Sequence, residues 1–265
     1  MTINIGILGL AHGHVNSYLA QWQQNAGHDI AAVAAWDHNA TRLAKGVEQF
    51  GFDGCASVAE LLARPDIQGV VVAAETSLHA DLVVQAAEAG KMIALQKPMA
   101  LTLPEADRMV AAVERAGVPF TLAWQMRVDP QNIAMKEMVQ QETLGKVYMV
   151  RRRHGLPSQL WDIATMWHFD PALNRDIWAD DSAHPIDFIH WLLGVPESVT
   201  AEVMSLRDPR APMDNGVALF RYAGGPLVQV DCSFTCVAAE NTTEIYCERG
   251  SIIQSFGYVP GCAAP

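Results

Sequence analysis

The N-terminal residues of this chain read Ile3-Asn-Ile-Gly-Ile-Leu-Gly-Leu-Ala-His-Gly-His14 and indicate its fold class. Its first half is mostly apolar and predicts a buried strand, and the amphipathic segment that starts at His14 predicts a helix. A strand, a glycine turn and a helix form the setting of a phosphate-binding loop. Gly9 would make the tight turn, and Ala11 and His14 occupy the next two positions of the glycine motif. The stretch therefore predicts the first βα unit of a dinucleotide-binding sheet.

The same stretch fits a second interpretation, in which His12 and His14 are metal ligands. Metal-dependent hydrolases built on (β/α)8 barrels carry such a pair at the end of the first strand. Further candidate ligands are present at His79, His184 and Asp187. However, the sequence shows only about five β/α units before its pattern changes, whereas the barrel needs eight. The dinucleotide interpretation is therefore favoured, and no metal is expected.

The composition limits the class of partner. The chain has 265 residues, half of them hydrophobic, and a net charge of −11 with dispersed acidic residues. Nucleic acids and anionic membranes bind basic patches, so neither is an expected partner. No apolar run reaches the length of a membrane span, and the N-terminus lacks the basic start of a signal peptide. The five cysteines include no C-x-x-C pair, so a reduced cytoplasmic protein is expected.

The hydrophobic pattern divides the chain near Trp124. Before it, short apolar runs alternate with longer amphipathic segments. This alternation predicts a Rossmann-type doubly wound parallel sheet, and thus an α/β fold, for residues 1–124. After it, two helical segments are followed by strands joined by short turns, which predicts an α+β domain with a mainly antiparallel open sheet at residues 125–265. The end of the chain is predicted to be a loop.

Asp37 follows the second predicted strand, where a carboxylate can accept hydrogen bonds from both ribose hydroxyls of a dinucleotide. The same charge would repel the 2′-phosphate of NADP, so NAD is the favoured cofactor. NADP remains an alternative cofactor, because Arg42 lies early in the next helix and an arginine there could bind the 2′-phosphate. Asp37 also suits the N-cap of this helix, a role compatible with ribose binding.

Four further motifs occur along the chain. They read Glu75-Thr76-Ser77-Leu78-His79, Gln96-Lys97-Pro98, Ala123-Trp124-Gln125-Met126-Arg127-Val128-Asp129-Pro130 and Asp180-Asp181-Ser182-Ala183-His184-Pro185-Ile186-Asp187. In these motifs, and over nearly its whole length, the chain resembles the Gfo/Idh/MocA family, which includes glucose–fructose oxidoreductase and inositol dehydrogenase. The family's motifs resemble T-P-N-x-x-H, E-K-P, G-F-N-x-R-x-x-P and D-x-G-x-H-x-x-D, and they occur in the same order.

The resemblance implies an NAD(P)-dependent oxidoreductase that transfers a hydride between nicotinamide and a sugar, polyol or related hydroxy compound. Lys97 would polarise the substrate hydroxyl, His184 would act as general acid/base, and Asp180 would assist. The expected substrate residues are Lys97, Arg127, Trp167, Asp180 and His184, with Trp161 and Arg175 as further candidates. The expected cofactor residues are Gly9, Ala11, His12, His14, Asp37, Arg42, Glu75, Thr76, Ser77, His79, Gln96, Lys97 and Gln125.

Several positions depart from the family pattern. Gln96 replaces the glutamate of E-K-P, Ser182 replaces the glycine before the histidine, and Asn174–Asp176 replaces a glycine run. These departures leave the identity of the substrate open. Two further alternatives remain: a glycosidase of the same superfamily that uses bound NAD for transient oxidation, and a non-catalytic NAD-binding regulator. The presence of Lys97 and His184 counts against the regulator.

The C-terminal sheet predicts an oligomer. Few helical segments follow residue 194, so one face of the sheet needs cover from another subunit. A homodimer or homotetramer is therefore expected. In the family this domain usually continues with another strand and a closing helix, so either the chain is truncated or a partner subunit covers the sheet edge.

Overall fold

The computed structural model describes residues 2–24, 29–158, 166–207, 213–236 and 241–256. The chain falls into two compact units, Met1–Ala123 and Trp124–Pro265. In the described residues each unit contains one six-stranded sheet.

The first unit alternates strands and helices. Its strands are β1 (Ile3–Leu8), β2 (Ile30–Trp36), β3 (Asp53–Gly54), β4 (Gly69–Val72), β5 (Met92–Leu95) and β6 (Phe120–Leu122). Its helices are α1 (His14–Gln24), α2 (Ala40–Phe50), α3 (Val58–Leu62), α4 (His79–Glu88) and α5 (Leu103–Ala116), and a 3-10 helix spans Thr76–Leu78. The strand order is β3-β2-β1-β4-β5-β6 with every pair parallel. The predicted doubly wound fold is confirmed.

Both faces of this sheet are buried because consecutive strand residues enter different apolar clusters. Leu8 packs into the cluster that contains Leu61 and Met109, whereas its neighbour Ile7 packs with Val15 and the other residues of the opposite face. Local chemistry sets the helix ends. The side chain of Thr102, for example, accepts a hydrogen bond from the backbone N–H of Glu105 in a reciprocal capping box.

The second unit places its helices on one face of a mixed sheet. Its helices are α6 (Pro130–Gln140), α7 (Pro171–Asn174), α8 (Ile177–Asp181) and α9 (Ala183–Leu193), with 3-10 helices at Gln125–Arg127 and Trp167–Phe169. Its strands are β7 (Val147–Gly155), β8 (Ser198–Met204), β9 (Asn215–Arg221), β10 (Leu227–Ser233), β11 (Asn241–Cys247) and β12 (Gly250–Phe256). The order is β12-β11-β7-β10-β9-β8, in which only the pair β7–β10 is parallel among the described strands. The predicted mainly antiparallel sheet is confirmed.

Two features of this sheet differ from what the sequence predicts. The pattern does not predict β12, because its adjacent apolar residues Ile252 and Ile253 break the alternation typical of a half-buried strand. The run from Arg151 to Arg153 predicts arginines that alternate along an exposed strand, yet Arg152 is only 1% exposed. Within the described ranges, every helix is too short or too polar to cross a membrane.

Candidate active site

The glycine turn after β1 can hold no side chain. Gly9 has a φ of +87°, and a Cβ there would overlap the Cα atom of Ala74. His12 is buried in the same loop, with its ring centroid 4.6 Å from that of His14. In contrast, a Cβ on Gly13 would meet no atom within 4 Å. The backbone at Gly13, just before α1, is therefore open to a ligand, as the start of a phosphate-binding helix must be.

Asp37 lies at the centre of a hydrogen-bond network beyond the end of β2. Its buried carboxylate accepts hydrogen bonds from the backbone N–H groups of Leu10 and Asn39, each at 2.7 Å. Arg42 donates from Nε at 2.7 Å and from Nη2 at 2.9 Å to the two oxygens of the same carboxylate. Arg42 Nη2 also donates to Glu75 Oε1 at 2.9 Å. Asp37 thus connects the glycine loop to the ends of β2 and β4.

Four cofactor candidates lie in the segment that follows β4, namely Glu75, Thr76, Ser77 and His79. Thr76 and Glu75 are buried, and Glu75 Oε2 accepts no hydrogen bond from the described residues, with His38 Nδ1 3.6 Å away. His79 is fully buried between two carbonyl groups, with Nε2 3.2 Å from the oxygen of Ala74 and Nδ1 3.0 Å from that of Pro98. His79 therefore fixes the loop after β4 against the loop after β5.

Gln96 and Lys97 follow β5 at the carboxyl edge of the sheet. Gln96 Nε2 donates to the Tyr18 hydroxyl at 2.8 Å, and its buried Oε1 has no hydrogen-bond partner within the described ranges. Lys97 is 3% exposed, and its peptide bond to Pro98 is cis. Ligands of open α/β sheets bind at this edge.

These observations test whether a dinucleotide fits the first unit. The glycine turn and the open space beside α1 suit a pyrophosphate. The buried acceptors Glu75 Oε2 and Gln96 Oε1 would gain partners from ribose hydroxyl or amide donors of a bound ligand. The residues present therefore fit such a cofactor.

In the second unit, His184 and Asp180 come from two consecutive helices. Asp180 lies in α8 and is 1% exposed, and His184 lies in the first turn of α9 and is 7% exposed. Trp124 packs its ring edge-on to that of His184, with 6.3 Å between the centroids. The arrangement combines a buried imidazole and a buried carboxylate, the pair of groups that general acid–base chemistry uses.

The structure adds three residues to this cluster that the sequence did not indicate. Asp181 Oδ2 lies 3.1 Å from His154 Nε2, and Asp181 Oδ1 lies 3.9 Å from His184 Nε2. His168 Nε2 lies 4.0 Å from Asp180 Oδ2. The alternation of β7 could have indicated His154, since it lies two residues after the inward-facing Arg152 and therefore on the same face of the strand.

The remaining substrate candidates differ in their surroundings. Arg127 donates to both oxygens of Asp187, at 2.6 and 2.9 Å, and this hydrogen bond raises the pKa of Arg127. Trp167 stacks on the ring of His168 with 3.9 Å between the centroids. Arg175 is exposed and contacts Asp176 at 3.0 Å. Gln125 begins the 3-10 helix before α6, and Trp161 lies outside the described residues.

The metal interpretation lacks support from the fold. The two six-stranded sheets do not form an eight-stranded barrel. Within the part of the chain that the structure describes, no three histidine, cysteine, aspartate or glutamate side chains lie close enough to share an ion.

Comparison with known protein families finds a match for each of the two units. Residues 3–123 match the model of an oxidoreductase family with an NAD-binding Rossmann fold, and residues 133–253 match the GFO/IDH/MocA C-terminal domain. The chain is 26% identical to the myo-inositol 2-dehydrogenase of Thermotoga maritima, over 94% of this chain and 74% of that protein. It is 25% identical to the levoglucosan dehydrogenase of Pseudarthrobacter phenanthrenivorans, over 96% and 74% of the two chains.

Solved structures share the fold. The WlbA dehydrogenase of Bordetella pertussis, crystallised with NADH and UDP-GlcNAcA, superposes with a TM-score of 0.85 at 24% identity, over 97% of this chain and 80% of that one. The two family matches confirm the predicted family, the oxidoreductase class and the NAD-binding domain. The two matched domains and the site residues within them lead to one conclusion: the chain belongs to the GFO/IDH/MocA family of NAD-binding oxidoreductases.

Proposed function

We propose that this protein oxidises a secondary hydroxyl group of a sugar or polyol, or reduces the corresponding ketone, with NAD as the favoured cofactor. The curated relatives named above act on inositol and on levoglucosan, which both carry such groups. The observation that carries the proposal is the burial of Lys97, which is 3% exposed at the carboxyl edge of the sheet. An ammonium group held in such low-polarity surroundings can donate a strong hydrogen bond to a ligand at this edge.

In this proposal Lys97 donates a hydrogen bond to the substrate hydroxyl and stabilises negative charge on its oxygen. His184 accepts the hydroxyl proton during oxidation and returns it during reduction. Asp180 lies in the preceding helix and assists by binding a second substrate hydroxyl or by orienting His184. When bound, NAD supplies the hydride acceptor at its nicotinamide ring.

The cofactor would contact the first unit through the glycine turn and the network around Asp37. Gly9, Ala11, His12 and His14 would surround the pyrophosphate. Asp37 would accept from the adenosine ribose in place of a hydrogen bond that Arg42 now donates to it. Further contacts are proposed for Arg42, Glu75, Thr76, Ser77, His79, Gln96 and Gln125. On the substrate side we propose Trp167 and Arg127, although Arg127 is already bound to Asp187.

A homodimer or homotetramer through the second sheet is also proposed. The face of this sheet opposite the helices exposes apolar side chains on four strands, namely Met149, Val217, Leu219, Leu227 and Ile253. Burial of such a surface in a subunit interface would remove these side chains from water.

A substrate panel tests the function. The purified protein would be incubated with NAD⁺ or NADP⁺ and with myo-inositol, levoglucosan and a series of aldoses and sugar acids, and the reduced cofactor would be followed at its absorbance band. Release of NADH with at least one compound, abolished in Lys97→Met, would support the proposal. Hydrolysis of an aryl glycoside without net NADH release would instead identify the NAD-dependent glycosidase. NADH binding with neither activity would favour the regulator.

A further inference from the structure

We propose that Asp181 and His154 are positioning residues for His184, and that the three side chains form a buried His154–Asp181–His184 chain. The inference rests on the proposed function of His184 as acid/base and adds two residues to it. Neither position is specified by the family motif, because Asp181 occupies an x position of D-x-G-x-H and His154 lies on a different element.

The two oxygens of Asp181 face two different imidazoles. Oδ2 lies 3.1 Å from His154 Nε2, and Oδ1 lies 3.9 Å from His184 Nε2. The exposed fractions of the three residues are 6% for His154, 8% for Asp181 and 7% for His184. Charges interact more strongly in such surroundings than in water. The carboxylate is therefore placed to act on His184 electrostatically.

The hydrogen bonding of His154 decides the direction of the chain. His154 Nδ1 is buried, and none of the described residues hydrogen-bonds to it. A proton on Nδ1 would therefore be buried without an acceptor, which is unfavourable. The ring proton belongs on Nε2, where it is donated to Asp181 Oδ2. This bond holds the carboxylate so that its other oxygen remains directed at His184.

The second contact of the chain is electrostatic. A separation of 3.9 Å is too long for a hydrogen bond between Asp181 Oδ1 and His184 Nε2, but it allows charge–charge attraction. This attraction increases when His184 takes a proton, so the carboxylate stabilises the imidazolium more than the neutral ring. In serine hydrolases a buried aspartate also stabilises the imidazolium of a catalytic histidine, but there through a direct hydrogen bond.

Other charged and titratable groups lie near the His154–Asp181–His184 chain. Cys232 neighbours His154 in the sheet, and burial together with the charge of Asp181 raises the pKa of its thiol well above the ordinary value, so the thiol stays neutral. Asp180 faces His168 at 4.0 Å. On α9 itself, Asp187 is bound by Arg127.

The first test measures the titration of His184 without any substrate. Histidine-labelled protein saturated with NAD⁺ would be followed by NMR between pH 5 and 9, with His184→Gln used to assign the signal. In Asp181→Asn the carboxylate charge is lost but the shape is kept, so His184 should titrate at a lower pH than in the unmodified protein. An unchanged titration of His184 in a folded Asp181→Asn variant would overturn the inference.

The second test uses two replacements of His154. His154→Gln keeps an N–H donor that can reach Asp181, whereas His154→Phe keeps a ring and loses the donor. With the panel compound oxidised fastest, Asp181→Asn and His154→Phe should lower kcat about 10- to 100-fold, at or below the usual contribution of a general base. The KM and the affinity for NADH should change little, and His154→Gln should retain most of the activity. Equal losses of kcat in His154→Gln and His154→Phe would mean that His154 acts through packing alone, and would overturn the inference.

The two tests separate this inference from the proposed function. If His184→Gln retains full turnover, the acid/base assignment fails and the positioning role fails with it. If His184→Gln is inactive while Asp181→Asn and His154→Phe both turn over normally, the function stands and the positioning role is wrong. If circular dichroism shows that Asp181→Asn does not fold, the kcat values of His154→Gln and His154→Phe decide whether the positioning role holds.

Discussion

Arg42 and Asp37 form a two-point salt bridge in which Nε and Nη2 donate to the two carboxylate oxygens at 2.7 and 2.9 Å. Glu75 accepts a third hydrogen bond from the same guanidinium. Burial by itself lowers the pKa of Arg42, but the hydrogen bond and charge of Asp37, together with those of Glu75, raise it overall. The arginine that could otherwise bind the 2′-phosphate of NADP is thus already bound to two carboxylates.

This arrangement predicts a preference for NADH over NADPH. Both Asp37 and Glu75 would repel a 2′-phosphate, and Arg42 could reach it only by leaving them. Glu75→Gln removes one of the repelling charges and one contact of Arg42, so it should narrow the affinity gap by about tenfold, which corresponds to ~1.4 kcal/mol. Fluorescence titration of NADH and NADPH would measure both affinities.

The control for this prediction is Glu48→Gln, which removes an exposed carboxylate from the helix that carries Arg42. It should leave the ratio of the two affinities unchanged. Tighter binding of NADPH than of NADH by the unmodified protein would show that Arg42 exchanges its carboxylate partners for the phosphate.

Much of the first unit could be predicted from the sequence because its parallel strands are apolar and its helices amphipathic, so each element has its own pattern. The strand β3 was not indicated, because its two residues Asp53 and Gly54 carry no such pattern and are held by pairing with β2. The contact between Arg42 and Glu75 joins residues 33 positions apart. No local pattern specifies it.

The cluster of the second unit was only partly predictable. His184 and Asp180 lie within one short motif, so their proximity follows from their spacing. His154 belongs to a strand whose neighbours could not be derived from the sequence, since β7 pairs with β10 and β11 across long separations. The burial of Arg152 has the same origin: its guanidinium lies 4.7 Å from the ring centre of Phe188, and burial lowers its pKa to about 10.

Lys97 provides the sharpest test of the catalytic assignment. Lys97→Met keeps most of the side-chain volume and removes the ammonium group, so kcat should fall by about 10²- to 10⁴-fold while the affinity for NADH stays within a few-fold. Stopped-flow or steady-state rates and NADH titration would measure the two effects. Lys45→Met, at an exposed position on α2, is the matched control. Loss of NADH binding in Lys97→Met would instead make Lys97 a cofactor contact.

The bond between Arg127 and Asp187 predicts an effect on stability. Asp187 is buried and Arg127 is its two-point partner, so Arg127→Met would leave a carboxylate without its counter-charge. The free energy of unfolding should fall by about 1–3 kcal/mol, less than for a fully buried pair because Arg127 is partly exposed to water. Urea denaturation would measure it. The double variant Arg127→Met, Asp187→Asn should lose less free energy of unfolding than the sum of the losses in the two single variants.

Kinetics of the same variants separate this role from substrate binding. If Arg127 acts through Asp187, Arg127→Met and Asp187→Asn should change KM to a similar extent. A rise in KM confined to Arg127→Met, with stability unchanged, would support the predicted direct contact of Arg127 with substrate.

The exposed face of the second sheet predicts an oligomer that a single charge can weaken. Ile253 on β12 is 72% exposed, and Ile253→Glu would place a carboxylate in the proposed interface. Light scattering at micromolar concentration should show a dimer or tetramer for the unmodified protein and a smaller species for the variant. Val195 is exposed in the loop between α9 and β8 and is not one of the five apolar residues of the proposed interface, so Val195→Glu should leave the mass unchanged. A monomeric unmodified protein would contradict the prediction.

Replacement of Arg175 by glycine should raise the free energy of unfolding. Arg175 stands in the segment that replaces the glycine run typical of the family, and it has a φ of +63° and a ψ of −74° at the end of α7. A side chain in such a conformation costs about 1–3 kcal/mol. Glycine would relieve this strain but lose about 0.5–1 kcal/mol of chain entropy, so Arg175→Gly should raise the free energy of unfolding by about 1 kcal/mol.

The matched variant for this prediction is Arg175→Ala. It also removes the exposed contact with Asp176, but it keeps a Cβ and therefore the strained backbone. Urea denaturation of the two variants isolates the backbone effect, because their difference excludes the lost side-chain contact. Arg175→Gly should be the more stable of the two by about 1 kcal/mol, since the strain relieved exceeds the entropy lost. Equal stabilities would mean that residues 174–176 fold without strain, and that the arginine in place of glycine carries no conformational cost.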